Sequence, residues 1–292
     1  MTTGFRLAKF IDRTRLLAAV VATLVFGGGA MAQTAVAPAA GVPGFWDFNR
    51  HVEKPDAGAP RVLRFITEDD YPPFDFAAPD GALMGFNVEI GRAICEEARL
   101  QCTVQARRWD TIVDAIEKRE ADAAIASLAI NARNRARVDF TAPYYRTPGR
   151  FVARAKSALP DPLPETLAGK TVGVVAGGAH EAFLKANFPA VALRAFPESA
   201  GQMAALRRGD VDFVFADGVS LALWLNGTDA AGCCEFRGGA FTEPAYFGEG
   251  VGIAVARGNI PLRRLLDYSL RRIAEKGVYA ELYLKYFPVG FY

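Results

Sequence analysis

The sequence predicts an α/β fold in two lobes, and three observations carry that expectation. Apolar strand-like runs alternate with amphipathic helical stretches from residue 62 onward, the order expected of βαβ units. That order runs twice. Each cycle reads strand, helix, strand, helix and then a short strand led by an acid, so that Glu120-Ala121-Asp122-Ala123-Ala124-Ile125 is matched by Gly209-Asp210-Val211-Asp212-Phe213-Val214. Finally, 292 residues of which 51% are hydrophobic suffice for one large core or two modest ones.

Taken in order, the apolar run 62–67 predicts a buried strand. It stops at Glu68-Asp69-Asp70-Tyr71-Pro72-Pro73, where paired prolines forbid ladder hydrogen bonds and stiffen the loop. Asp80-Gly81 marks a turn, and a helix is expected over 86–98. Strand 102–106 and helix 109–118 follow, then a short buried strand at 122–126. Asn131 to Arg137 reads as a polar turn or short helix, ahead of Val138-Asp139-Phe140 and a strand beginning at Phe151. The second cycle opens with strand 170–175, which has Gly177-Gly178 at its tip. Helix 180–187, strand 191–196 and helix 199–208 come next. A strand at 211–217 ends in an acid. A Gly-rich loop carries Cys233 and Cys234, strand 252–256 follows, and helices near 261–275 and 277–286 close the chain.

The first 32 residues have the pattern of a cleaved secretory signal. A basic stretch precedes an apolar run from Leu16 to Phe26, and Ala30-Met31-Ala32 offers a small-x-small cleavage site. The run is short for a bilayer span, which needs roughly 20 residues. Arg6, Lys9, Arg13 and Arg15 against Asp12 leave this segment at +3 and the remainder at −1, out of a total of +2. A near-neutral mature chain has no electrostatic reason to bind nucleic acid or an anionic membrane. Residues 33–60, rich in Ala, Pro and Gly, read as a loose leader whose Phe45, Trp46 and Phe48 can dock on the body.

The ordered segments Ile66-Thr67-Glu68-Asp69-Asp70-Tyr71-Pro72-Pro73-Phe74, Gly85-Phe86-Asn87-Val88-Glu89, Val138-Asp139-Phe140 with Pro143-Tyr144-Tyr145, and Leu282-Tyr283-Leu284-Lys285-Tyr286-Phe287 resemble the periplasmic solute-binding proteins, family 3, that feed polar amino acids to ABC transporters. The resemblance spans nearly all of 61–288. It implies the two-lobed type II binding-protein fold, with two crossovers joining the lobes. Lobe 1 would be 61–146 plus 250–292, and lobe 2 would be 147–249. It further implies a monomeric periplasmic protein without cofactor that closes on an amino acid or related small amine and docks on a membrane permease.

A clamp for such a ligand needs acids for the ammonium, donors for a carboxylate and flat apolar walls. Glu68 lies on a stiff loop at the carboxyl end of a strand, where open α/β sheets bind ligands. By resemblance it is the acid that meets the ammonium, and Asp217 is the second acid, from the other lobe. Tyr71 and Trp109 match the aromatic walls, and both can offer a cation–π contact. Asp69 and Asp70 read as solvated or turn-forming.

The carboxylate side departs from the family. Over Ala126-Ser127-Leu128-Ala129-Ile130-Asn131-Ala132-Arg133-Asn134-Arg135, the usual arginine position holds Asn134 and one hydroxyl position holds Ala129, while Ser127 keeps a hydroxyl. Either Arg133 or Arg135 takes over, or the ligand lacks a standard α-carboxylate, since Asn does not reproduce a bidentate arginine. Gly178, Ala179 and His180 open a helix, where exposed amides bind anions. Among basic-amino-acid members the resemblance implies a disulfide at Cys95 and Cys102, and a helix-turn-strand corner can bring such a pair within bridging distance. Cys233 and Cys234 are left as a vicinal bond, an intermolecular pair or thiols. Neither pair has CxxC spacing with histidines nearby, so no metal is expected. The weighed alternative is a cyclohexadienyl (prephenate or arogenate) dehydratase on the same fold, with Glu181 as general acid. Two facing acids would repel a dicarboxylate substrate. A sensor domain fits less well for want of a second transmembrane segment or signalling domain, and a Ser-His hydrolase because only His51 and His180 exist and no Gly-x-Ser-x-Gly elbow is present.

Overall fold

The computed structural model describes residues 42–47, 54–55 and 62–292. The expected signal segment, His51 and Phe48 lie outside the described residues. Phe45 and Trp46 do pack on the body. Trp46 meets Tyr279 edge-on at 5.0 Å and Phe45 meets Tyr292 at 5.7 Å.

The first half builds one sheet. β1 (Val62–Thr67) is followed by the short strands β2 (Asp70–Tyr71), β3 (Asp75–Ala77) and β4 (Leu83–Met84). α1 (Phe86–Ala98) leads to β5 (Gln101–Ala106), which pairs parallel to β1. The expected helix 109–118 is a 3-10 turn, Trp109–Thr111, running into α2 (Ile112–Glu117). β6 (Ala123–Ala124), α3 (Ala132–Arg135) and β7 (Val138–Phe140) complete the run. The sheet order is β5-β1-β6-β13-β7. Its fourth strand, β13 (Ala254–Ala256), arrives from far along the chain and is antiparallel to both neighbours. β2, β3 and β4 form a small separate sheet over the end of β1.

The second half repeats the plan. β8 (Gly149–Arg154), β9 (Thr171–Val175), α4 (Ala179–Asn187), β10 (Ala192–Phe196), α5 (Ser199–Arg208) and β11 (Phe213–Asp217) come first. α6 (Gly218–Asn226), β12 (Cys234–Phe241) and α7 (Pro244–Phe247) follow. This sheet runs β10-β9-β11-β8-β12. α8 (Ile260–Glu275) and α9 (Val278–Tyr286) then pack back on α1. The chain therefore passes between the two sheets twice, after β7 and after β12. The architecture is a mixed α/β fold in two lobes of the type II binding-protein kind.

Two of the segments that differ from the sequence expectation carry the paired cysteines and the return strand. The loop expected at the paired cysteines is in part strand β12, antiparallel to β8 with a register shift between Arg237 and Phe241. The expected strand 252–256 begins only at Ala254, because Gly252 and Ile253 lie in the approach to the sheet, where Thr141 and Leu128 bond their backbone groups.

Apolar burial explains why these elements hold. α1 buries Phe86, Ile90, Ala93 and Ile94 along one face, the 3.6-residue stripe of a core-facing helix. Gly85 precedes it at φ 125°, and a Cβ there would stand 2.3 Å from the Phe74 carbonyl oxygen, so only glycine fits. α1 ends at Arg99 in the left-handed conformation (φ 57°), with its N–H turned back on the Cys95 and Glu96 carbonyls. That turn folds β5 against the helix end and brings Cys95 to Cys102, whose bond closes with Cα atoms 6.1 Å apart. Cys233 and Cys234 are bonded to each other.

Candidate functional site

The first wall of the site grows from the end of β1. Glu68 is the residue after the strand and is partly buried. Burial raises its pKa, and the neighbouring charges of Asp70 and Asp69 raise it further. Those two carboxylates are exposed. Tyr71 is 46% exposed, but its ring is not loose. It stacks on Phe74 at 5.2 Å, and Phe74 stacks in turn on Tyr145 at 4.9 Å. Phe74 and Tyr145 are both buried, so Tyr71 presents one free face on a fixed base. Trp109 begins the 3-10 turn after β5 and is 50% exposed, consistent with a cleft lining rather than a core residue. Ser127 follows β6 with a left-handed backbone (φ 57°), and its hydroxyl accepts a 2.9 Å hydrogen bond from Asn87 Nδ2. Glu68, Tyr71, Trp109 and Ser127 together line one cavity of about 300 Å³.

The candidate second wall consists of helix starts, none of which is among the residues lining that cavity. Asp217 ends β11 and caps α6, where its Oδ1 accepts from the Ser220 N–H at 2.8 Å and from the Ser220 hydroxyl at 3.0 Å. Behind burial, its negative charge is the next cause that pushes the Tyr71 pKa up, and it also acts on Tyr145 and His180. Asp217 therefore lies near enough to Tyr71 and Tyr145 for its charge to act on them. Gly177 (φ 73°), Gly178 and Ala179 are exposed at the start of α4, where the first N–H groups of a helix lack intrahelical partners. His180 stands apart from them. Its ring lies against Phe215 at 5.6 Å and Phe247 at 5.1 Å, and its Nε2 is buried without a hydrogen-bond partner. Burial lowers its pKa, which keeps it neutral.

The arginine segment is engaged internally. Asn134, at the family's arginine position, donates its Nδ2 to the Ala129 carbonyl at 2.9 Å, and its N–H is capped by Asn131 Oδ1 at 2.9 Å. Ala129 bridges Val251 in the approach to β13. Arg135 forms an exposed ion pair with Glu249, and Arg133 is exposed. Neither arginine is among the residues lining the cavity. Glu181 receives the Gly177 N–H at 2.7 Å and pairs with Lys185 at 2.7 Å. The hydrogen bond from Lys185 is the main cause that lowers its pKa, the wrong direction for a general acid that must hold a proton.

Sequence reasoning missed the layer beneath Ser127. Asp75, Asn87 and Tyr144 are each 0% exposed and Tyr145 is 2% exposed. Asn87 donates to Asp75 and accepts from the Tyr144 hydroxyl at 2.6 Å. One signal was available: Asn87 interrupts the apolar start of α1.

The sequence profile of the bacterial extracellular solute-binding proteins, family 3, matches residues 63–289. The chain belongs to that family. It is 35% identical over 240 residues to the L-arginine-binding protein of Pseudomonas aeruginosa, covering 82% of this chain and 92% of that one. It is 30% identical over 231 residues to a putative ABC transporter arginine-binding protein 2 of Escherichia coli, with 79% and 93% covered. Both relatives are binding proteins by name. Among solved structures, the second substrate-binding domain of a putative amino acid ABC transporter from Streptococcus pneumoniae superposes with a TM-score of 0.66 at 21% identity, covering 77% of this chain and 99% of that one. Substrate-binding domain 2 of Lactococcus lactis GlnP gives 0.67 at 18%, covering 81% and 99%. At these identities the likeness is one of fold.

Proposed function

We propose that this binding protein captures a cationic amino acid of the arginine type in the periplasm and delivers it to a membrane ABC permease. The observation that carries the reading is the convergence of Glu68, Tyr71, Trp109 and Ser127 on one cavity of about 300 Å³, at the small end of ligand pockets, with Asp217 coupled to Tyr71 from the other sheet. Two acids suit a ligand with two cationic groups. Two aromatic faces suit a flat guanidinium or an alkyl chain. The arginine-binding relatives supply the same direction. The α-carboxylate would be met by the Ser127 hydroxyl and the Gly178 and Ala179 amides, with Arg133 or Arg135 reaching in as the lobes shut, a hinge closure.

Thermal melting of the secreted chain against arginine, lysine, ornithine, histidine, glutamine, glutamate and prephenate tests the reading. A ligand that binds only the folded state raises the melting point by mass action. Arginine, lysine or ornithine should give the largest rise. A rise with glutamate alone, or turnover of prephenate, would overturn the proposal.

A further inference from the structure

The polar layer beneath Ser127 has a donor and acceptor count that bears on the ligand. Asn87 has two amide protons and one carbonyl oxygen. The oxygen accepts from Tyr144. The two protons go to Asp75 Oδ2 and to Ser127 Oγ. Turning the amide over would set its oxygen against the Asp75 carboxylate and leave its NH2 facing the Tyr144 hydroxyl, so the orientation is fixed from both sides. Ser127 therefore receives a proton from inside the lobe and does not spend its own on Asn87. Its other inner neighbour is the Tyr145 hydroxyl, which can give or take a proton. When the Ser127 proton is drawn into the cleft, Tyr145 can donate in its place. The left-handed backbone at Ser127 (φ 57°) is strained and persists only where surroundings over-determine it.

We propose that Asp75 and Asn87 are positioning residues that make Ser127 a hydrogen-bond donor into the cleft, and so select a ligand with an anionic group, a carboxylate, on that side. The inference rests on the ligand reading above and deepens it. Asp75 can serve in this way whether or not it carries a proton, because Oδ2 is the atom that accepts from Asn87 and Oδ1 is free to hold the proton.

The test is a swap, Asp75→Asn with Asn87→Asp, made in the full chain. It keeps one buried carboxylate, one amide and the side-chain volumes. Once ionised, the carboxylate introduced at position 87 can only accept, so at alkaline pH, where binding is measured, Ser127 must donate inward and its proton leaves the cleft. The probes are L-arginine and agmatine, which is arginine without its carboxylate. The swapped chain should melt close to the original and bind arginine roughly tenfold or more weakly, the loss expected of one hydrogen bond to a charged group, while agmatine affinity stays the same. Ser127→Ala alone should show the same arginine-selective loss, and adding the swap to it should change nothing further. If the swap binds arginine as the original does, or weakens arginine and agmatine alike, the positioning role is wrong. Should the swap fail to fold, Ser127→Ala still decides: undiminished arginine affinity in that variant contradicts the proposal. If the original chain binds neither arginine nor agmatine, the fault lies with the ligand reading itself, and the inference falls with it.

Discussion

On the first-sheet side of the cleft, Tyr71 rests on Phe74 and Tyr145 and Ser127 rests on Asn87, all of them buried groups. On the second-sheet side, Asp217 and Gly177 to Ala179 sit at the first turns of α6 and α4, where one capping contact or exposed backbone carries the chemistry. A wall backed by stacked rings and a hydrogen-bonded layer holds its geometry before any ligand arrives, and preorganisation is what raises affinity and selectivity. A wall of helix starts offers charge and amide dipoles and needs little shape of its own. The first wall therefore reads as the template, and the second as the closing face that adds electrostatic hold.

The largest effect should come from breaking the template's base. Phe86 is fully buried and meets Phe74, Tyr144, Tyr145, Tyr279, Tyr283, Tyr286 and Phe287. Phe86→Ala should cost about 3–5 kcal/mol in denaturant unfolding, and any folded remainder should discriminate poorly among amino acids. Retained discrimination would show that the base does not set the template.

Asp75 gives a pH signature to the same side. Burial, opposed by the Asn87 hydrogen bond and aided by the charges of Glu68 and Asp70, raises its pKa to about 7. The unfolded residue loses its proton near 4, so between about pH 4 and 7 the folded state holds more protons. Stability contributed by this group is full below pH 4, falls as pH rises through that window, and is flat above it. The fall is at most about 4 kcal/mol. Asp75→Asn should remove that slope from the difference between variant and original. An unchanged slope would mean that Asp75 is ionised throughout.

The second wall sharpens the contrast at lower energy. Asp217→Ala should lose the α6 cap, about 1 kcal/mol, and weaken ligand binding. Asp217→Asn should keep stability to within a few tenths of a kcal/mol, because Asn caps as well as Asp, and yet weaken a cationic ligand. Equal ligand affinity for the Asn variant and the original would reduce Asp217 to a cap.

Much of the architecture was legible because periodic apolar runs dominate it. α1 and α5 match the expected spans, and β1 and β9 follow their apolar runs closely. α6 was missed because Val219, Leu221, Ala222, Leu223, Trp224 and Leu225 give it apolar residues on every side and no stripe. β12 was missed because Gly238 and Gly239 interrupt its alternation. The four cavity residues stood out as an acid, two aromatics and a hydroxyl near strand ends. The layer beneath them did not, because Asp75, Asn87, Ser127 and Tyr144 meet across separations of 12 to 57 residues and none of them matches a spacing rule. Arg135 looked free in sequence, and only the return of the chain toward β13 supplies Glu249 as its partner.

The template and the closing face work together only if two acids, one on each wall, hold one cationic amino acid. Calorimetric titration of L-arginine into the original chain, Glu68→Gln and Asp217→Asn is the decisive measurement. The original should show one site per chain, and each variant should lose roughly tenfold or more, the scale of a hydrogen bond to a charged group. Arginine binding that is absent from the original chain, or unchanged in both variants, would rule out the two-acid clamp.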